Sequence, residues 1–296
     1  MGSSSYYFLM RLLTWNICFG GIGAGKVEYD PVTSLENVQK IALAILDKAA
    51  DIIVLEEYRD TAETGGIIKA KLGEADYTCF NSNPGLNKNG ILIALSKNVT
   101  SSYTVSPSKS FLVSENRLDE IYRYRWLNLK LASDLESFEI LGLHIPDVRQ
   151  GRKGSLEAFA KSLGYKQLIW DALIEYAKGQ LKTGREAIIT GDFNTGINAE
   201  DQSPGAGNFY LSDRMALLKQ LKNSEGHKLV DAWRKFHQKP GPEDYTWFHG
   251  KTGFRLDYLF LTPKLGETIE MVTYSHKERS NSLSDHSALL ANINLQ

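Results

Sequence analysis

The apolar run Ala187-Ile188-Ile189-Thr190-Gly191 ends on Asp192, and one spacer later comes Asn194. A short apolar run punctuated by glycine reads as a buried strand. Both polar residues then sit at its C-terminal mouth, and a period of two points their side chains to the same side. A carboxylate and an amide placed together are able to orient a water and a phosphate oxygen. Other apolar runs end in the same way: Asn16 in Leu12–Ile17, Glu56 and Glu57 after Ile52–Leu55, His144 after Phe138–Leu143, Asp257 in Phe254–Leu261, and Asp285 with His286 before Ala288–Ile293. Taken singly, each reads as a turn former, a solvated strand end or a satisfied structural histidine. So many strand ends in metal- or proton-competent groups point to one shared site.

The elements that must position these groups follow from periodicity. A strand at Leu12–Ile17, a helix from a cap at Ser34 to about Ala50 and a strand from Asp51 to Tyr58 make an α/β beginning, with Leu35, Val38, Ala42, Ile45 and Ala49 as the helix's apolar stripe. Short strands follow at 77–80, 90–95 and 103–105, separated by Asn, Pro and Gly turns. A strand from Ile121 to Leu131, with Arg123 and Arg125 alternating along it, pairs with Phe138–Leu143, and Pro146 stops that ladder. A helix from about Ser155 to Tyr176 leads into the strand of Asp192. Further on lie a helix at 212–222, an ambiguous segment at 230–233, and strands at 254–261, 269–274 and 288–293. The glycine-rich Gly20–Lys26 fits neither GxGxxG nor GxxxxGK[ST] and reads as a loop.

Bulk properties narrow the class. The chain has 296 residues, 42% of them hydrophobic, enough for one large core, and no low-complexity linker divides it. Met1–Ser5 looks like an expression leader, so residues 1–9 are set aside as leader or disordered N-terminus and 10–296 taken as one domain. A net charge of −1 gives no global basic field for nonspecific nucleic-acid binding, although a bound divalent metal adds local charge that a residue count omits. Cys18 and Cys79 suit buried free thiols in a reducing compartment. No run approaches the ~18 apolar residues of a membrane span, and the reading is a soluble, cytoplasmic monomer.

Trp15-Asn16, Leu55-Glu56-Glu57, Gly142-Leu143-His144, Gly191-Asp192-Phe193-Asn194, Arg255-Leu256-Asp257-Tyr258 and Ser284-Asp285-His286 together resemble the ordered motifs of the endonuclease/exonuclease/phosphatase superfamily, over almost the whole chain. The resemblance implies an α/β (α+β) fold, a four-layer αββα sandwich in which two mixed β-sheets pack face to face with helices outside. It also implies roles. Glu57 and Asp285, with Asn16 nearby, would bind Mg²⁺ (or Mn²⁺), a hard cation that prefers oxygen. Asp192 would aim or deprotonate a water, Asn194 would hold a phosphoryl oxygen, His286 would contact the phosphate with Asp257 fixing its tautomer, and His144 would stabilise developing charge.

Departures from the family pattern bear on substrate. Glu56 stands where a glutamine is usual. His144 stands where abasic-site endonucleases carry tyrosine, and the acid that pairs with such a histidine in deoxyribonuclease I has no counterpart at Asn89-Gly90-Ile91. Trp247 and Phe254 resemble the stretch that builds an abasic-sugar pocket and would stack on a base or sugar. Arg125, Arg149, Arg152 and Lys153 would meet flanking phosphates. The expectation is a metal-dependent nuclease cleaving DNA. Its alternatives are a phosphatase or phosphodiesterase for a small or lipid-derived phosphoester, and a binding protein with a dead site.

Overall fold

The computed structural model describes residues 8–21, 31–113, 122–148 and 155–295. In chain order the elements are β1 (Phe8–Asn16), α1 (Pro31–Asp47), β2 (Ile52–Tyr58), α2 (Gly65–Glu74), β3 (Thr78–Asn81), β4 (Gly90–Leu95), α3 (Lys97–Ser102) and β5 (Thr104–Pro107). The second half holds β6 (Trp126–Ala132), β7 (Ser137–His144), α4 (Leu156–Thr183), β8 (Glu186–Asp192), α5 (Ser212–Gln220), β9 (Val230–Asp231) and α6 (Ala232–Phe236). It continues with β10 (Trp247–His249), β11 (Thr252–Phe254), β12 (Asp257–Leu261), α7 (Pro263–Thr268), β13 (Ile269–Ser275), α8 (Lys277–Ser280) and β14 (Ala288–Leu295).

Two six-stranded sheets form, ordered β13-β14-β1-β2-β4-β3 and β5-β6-β7-β8-β12-β9. Each contains one parallel pair, β1 with β2 and β7 with β8, among antiparallel neighbours. A parallel pair needs a crossover, and a helix supplies it each time. The period of two sorts the side chains. Met10, Leu12, Ile52 and Val54 of the first sheet meet Leu129, Leu131, Ile140, Ile188 and Leu259 of the second in one buried layer. The alternate residues Leu13, Trp15, Ile53 and Leu55 pack outward on Val38, Ile41 and Ile45 of α1. Leu141, Leu143, Ala187 and Ile189 pack outward on Ile169, Trp170 and Leu173 of α4. The four-layer sandwich of two mixed sheets is thus the observed fold. The sheets approach closely at Gly142, where a Cβ would lie 2.7 Å from Val54 Cγ1.

Several local expectations are corrected. β1 starts at Phe8, so the last two residues set aside as leader pair with Leu295 and Asn294. The first helix begins at Pro31, ahead of the expected cap at Ser34, because proline at a first turn loses no hydrogen bond. Arg123 and Arg125 lie before β6, not on it: Arg125 N closes a turn on Tyr122 O, and the ladder begins at Trp126 opposite Leu143. The run 254–261 breaks in two, because Arg255 N bonds Asp201 O and the amides of Leu256 and Asp257 donate to Thr246 Oγ1. Helix α4 extends to Thr183 and closes on Gly184 in the left-handed region at φ 64°. Helix α2 had no sequence counterpart; its weak amphipathic pattern, with Gly65, Gly66 and Gly73, explains why. Arg149, Arg152, Lys153 and most of the glycine-rich loop lie outside the described residues.

Candidate active site

Parallel pairing carries the C-terminal ends of β1 and β2 to one edge of the first sheet, with Asn16 opposite Glu56. In the second sheet it places His144 opposite Asp192, and antiparallel β12 adds Asp257 opposite Asp192. Three chemically competent groups therefore occupy one row of the ladder. The turn before β14 brings Asp285 and His286 to the same edge, held by Ser284, whose hydroxyl donates to Asn16 O at 2.6 Å and accepts from His286 N. The facing edges enclose a cavity of about 340 Å³ lined by Glu57, His144, Asp192, Asn194, Asp285 and His286 among others.

Asp192 is the centre. Its Oδ2 accepts from Asn16 Nδ2 at 3.0 Å and Asn194 Nδ2 at 3.1 Å, and its Oδ1 accepts from Asn194 N at 2.8 Å. His144 Nε2 and His286 Nε2 face Oδ2 at 3.6 and 3.8 Å. The expected period-two alignment of Asp192 with Asn194 does not hold, because β8 stops at Asp192 and Asn194 adopts φ 47°. The left-handed turn folds the amide back onto the carboxylate instead, where Asn194 Nδ2 also meets Ile145 O and His144 Nε2 at 3.0 and 3.3 Å. Gly191 before it, at φ 136°, is obligatory: a Cβ would lie 1.9 Å from Leu143 O.

His286 Nδ1 lies 2.9 Å from Asp257 Oδ2. Burial opposes charging of the ring, but Asp257 and Asp192 outweigh it and raise its pKa well above the ordinary value. Burial conversely pushes Asp192 up to about 7, against the pull of His286. The two carboxylates therefore favour the charged His286 ring, while burial favours the neutral acid at Asp192. His144 has no acid on β4, as expected, yet Glu57 Oε1 stands 3.7 Å from its Nε2 and Arg125 Nη1 2.6 Å from its Nδ1.

Glu57 sits in a β-bulge at φ 56°, where the register of β2 against β4 slips between Glu56 and Tyr58. The bulge aims its carboxylate into the cavity, where Phe19 N donates to it at 2.8 Å. Glu56 points the other way, fully buried, accepting from Thr14 Oγ1 at 2.6 Å, and burial raises its pKa well above the usual range. Burial thus favours its neutral form, which can donate a hydrogen bond as a side-chain amide does. Asp285 accepts from Trp247 Nε1 at 3.0 Å; burial works against its charge, but His286 and hydrogen bonds from Trp247 and Cys18 hold its pKa below the usual range.

Glu57 and Asp285 both face the cavity with oxygen donors, which fits a hard divalent cation. Asn16 is committed differently: Oδ1 accepts from Cys18 N at 3.0 Å and Nδ2 goes to Asp192. Asp192, Asp257 and His286 also offer atoms within 4.8 Å of one another, but His286 Nδ1 is already engaged with Asp257. Trp247 lines the cavity, whereas Phe254 does not; it packs behind, 5.8 Å from Trp247 and 5.6 Å from Phe209.

Lys166 escaped the sequence reading. It comes from α4, is buried, and donates to Asn194 O at 2.6 Å; burial lowers its pKa to about 8. The signal was a lysine inside the apolar stripe that includes Ile169, Trp170 and Leu173.

A four-layer sandwich with carboxylates and histidines gathered at one sheet edge defines a class of phosphoester-cleaving hydrolases. The chain belongs to the endonuclease/exonuclease/phosphatase family, whose profile matches residues 13–286. Solved structures share the fold. An AP endonuclease from Archaeoglobus fulgidus is 18% identical, with a TM-score of 0.66 over 97% of this chain and 100% of its own. The 3′ phosphatase NExo from Neisseria, bound to a product DNA hairpin, is 19% identical, with a TM-score of 0.65 and the same coverage. Truncated TDP2 from Caenorhabditis elegans is 20% identical, with a TM-score of 0.62 over 97% and 98% of the two chains. No curated protein sequence matches.

Proposed function

We propose that this protein is a Mg²⁺-dependent phosphodiester hydrolase that cleaves DNA by in-line attack of water, and that it acts in the cytoplasm as a monomer. The observation that carries the chemistry is Asp192, held by two amide side chains and faced by two histidines at the cavity floor. The names of the similar structures, an AP endonuclease and a 3′ phosphatase bound to a product DNA hairpin, favour DNA as the substrate.

Asp192 orients the attacking water and takes its proton, which its pKa of about 7 permits near neutrality. Asn194 donates to a phosphoryl oxygen, and protonated His286 approaches the phosphate with Asp257 fixing its ring. His144, on the strand beside Asp192, stabilises or protonates the charge that develops as the phosphorus–oxygen bond breaks. Glu57 and Asp285 would hold a divalent cation, which would supply Lewis-acid stabilisation of the phosphoryl charge.

One panel tests this: supercoiled plasmid, an abasic-site duplex, single-stranded RNA and a chromogenic phosphodiester, each with Mg²⁺, Mn²⁺ or chelator. Metal-dependent cutting of DNA is expected, and Asp192→Ala is expected to abolish it without unfolding the chain. Cleavage of the chromogenic ester alone would replace the nuclease by a small-phosphoester hydrolase.

A further inference from the structure

Arg59 is a half-buried cation that makes no ion pair among the described residues. It follows Tyr58 at the end of β2, donates from Nε to Asn89 Oδ1 at 2.7 Å, and lies over the Phe19 ring, 4.9 Å from its centroid. Gly20 packs so close that a Cβ there would come within 3.2 Å of Arg59 Cβ. Held on these sides, Arg59 lines the catalytic cavity together with Lys88. Burial holds its pKa below the ordinary value, and Glu57 and Cys18 offset this only in part. Among the described residues no carboxylate lies within ion-pair distance, and its two terminal nitrogens have no hydrogen-bond acceptor.

Taking a guanidinium out of water costs free energy unless an anion compensates. With Nε tied to Asn89, the remaining edge of the planar guanidinium offers a two-pronged fork, a geometry that matches two oxygens of one phosphate. The cleaved phosphate belongs to Asp192, Asn194 and His286. We propose that Arg59, with Lys88 beside it, binds a second phosphate adjacent to the cleaved one, so that the protein selects a nucleic-acid strand over a lone phosphoester. This rests on the hydrolase site proposed above.

The test compares wild type, Arg59→Ala and Arg59→Lys, each checked for fold by circular dichroism, on a duplex oligonucleotide and a chromogenic phosphodiester with Mg²⁺. Arg59→Ala is expected to raise KM for the oligonucleotide about tenfold. It is also expected to reduce the slope of log affinity against log salt by about 1, and to leave kcat/KM for the small diester within about twofold. Arg59→Lys falls between. Equal losses on both substrates, or an unchanged KM and salt slope on the oligonucleotide, overturn the proposal.

A second readout is independent of strand cleavage. A nucleoside 3′,5′-bisphosphate carries two phosphates on one sugar, as a strand does, and is expected to inhibit diester hydrolysis about tenfold better than the 5′-monophosphate in wild type, with the difference erased in Arg59→Ala. Equal inhibition in wild type overturns the two-phosphate grip. Failure to cut any oligonucleotide, with the inhibition difference intact, overturns the nuclease reading and leaves the grip standing.

Discussion

Asp257 stands directly across the strand ladder from Asp192, and both carboxylates turn toward the same histidine: His286 Nδ1 is 2.9 Å from Asp257 Oδ2, and His286 Nε2 is 3.8 Å from Asp192 Oδ2. The backbone amide of Asp257 is held by Thr246 Oγ1 and its carbonyl by Tyr274 OH at 2.7 Å. Cross-strand register sets the spacing of the two acids, and the turn before β14 sets the histidine between them.

Replacing Asp257 with Asn removes the charge that fixes the His286 tautomer while keeping shape. The expected result is a loss of kcat of about 10²- to 10⁴-fold, as when an orienting acid is removed from a catalytic histidine. KM stays within a few-fold, and steady-state kinetics on a phosphodiester substrate read both. Retention of full kcat would show that the pair is structural.

Glu57→Gln keeps the bulge and the hydrogen bond from Phe19 N but removes one of the two charges facing the cavity. The Mg²⁺ concentration for half-maximal activity is expected to rise about tenfold or more. A metal titration at saturating substrate checks this, and an unchanged midpoint would exclude Glu57 from the metal site.

Lys166 is a positioning residue: it holds the carbonyl of Asn194 in the left-handed turn that returns the side chain to Asp192. Lys166→Met removes that bond at similar volume and is expected to lower kcat about tenfold with substrate KM little changed. Lys166→Arg restores part of the loss. Equal changes in kcat for Met and Arg, tracking thermal stability, would mean that Lys166 only supports the fold.

Acid sensitivity is expected from a buried ionic network behind the site. Arg255, fully buried, bonds Asp201 at 3.0 Å and pairs with Asp231, and Arg234 joins Asp201 to Asp244. Burial opposes the Asp201 charge, but Arg255, Lys219 and Arg234 lower its pKa from 3.8 to about 2. The stability it contributes is fully present above its unfolded pKa and is lost as pH falls through the folded one. Asp201 alone accounts for about 2 kcal/mol across that window. Thermal melts between pH 5 and 2 are expected to show the loss ~, and Asp201→Asn to flatten it while lowering stability at pH 7, where Arg255 is left underpaired.

Much of the site was legible in sequence because strand ends carry their own punctuation. Asn16, Glu57, His144, Asp192, Asp257 and His286 each lie in or beside an apolar run, and the strand registers, the bulge at Glu57 and the turn before β14 bring them to the facing edges of the two sheets. Arg59, Lys166 and Thr14 were not legible, since each matters through a partner distant in sequence: Asn89, the carbonyl of Asn194, and Glu56.

By itself, then, the sequence determined the order of strands and helices and the roster of acids and histidines, because hydrophobic periodicity and residue chemistry are local properties; the four layers followed from the resemblance of its ordered motifs. Only the tertiary structure decided what each does. A bulge turns Glu57 inward and leaves Glu56 buried on Thr14, a left-handed turn folds Asn194 onto Asp192, and the packing at Trp247 keeps Phe254 out of the cavity. Those outcomes depend on backbone geometry and burial, which arise only when distant segments meet.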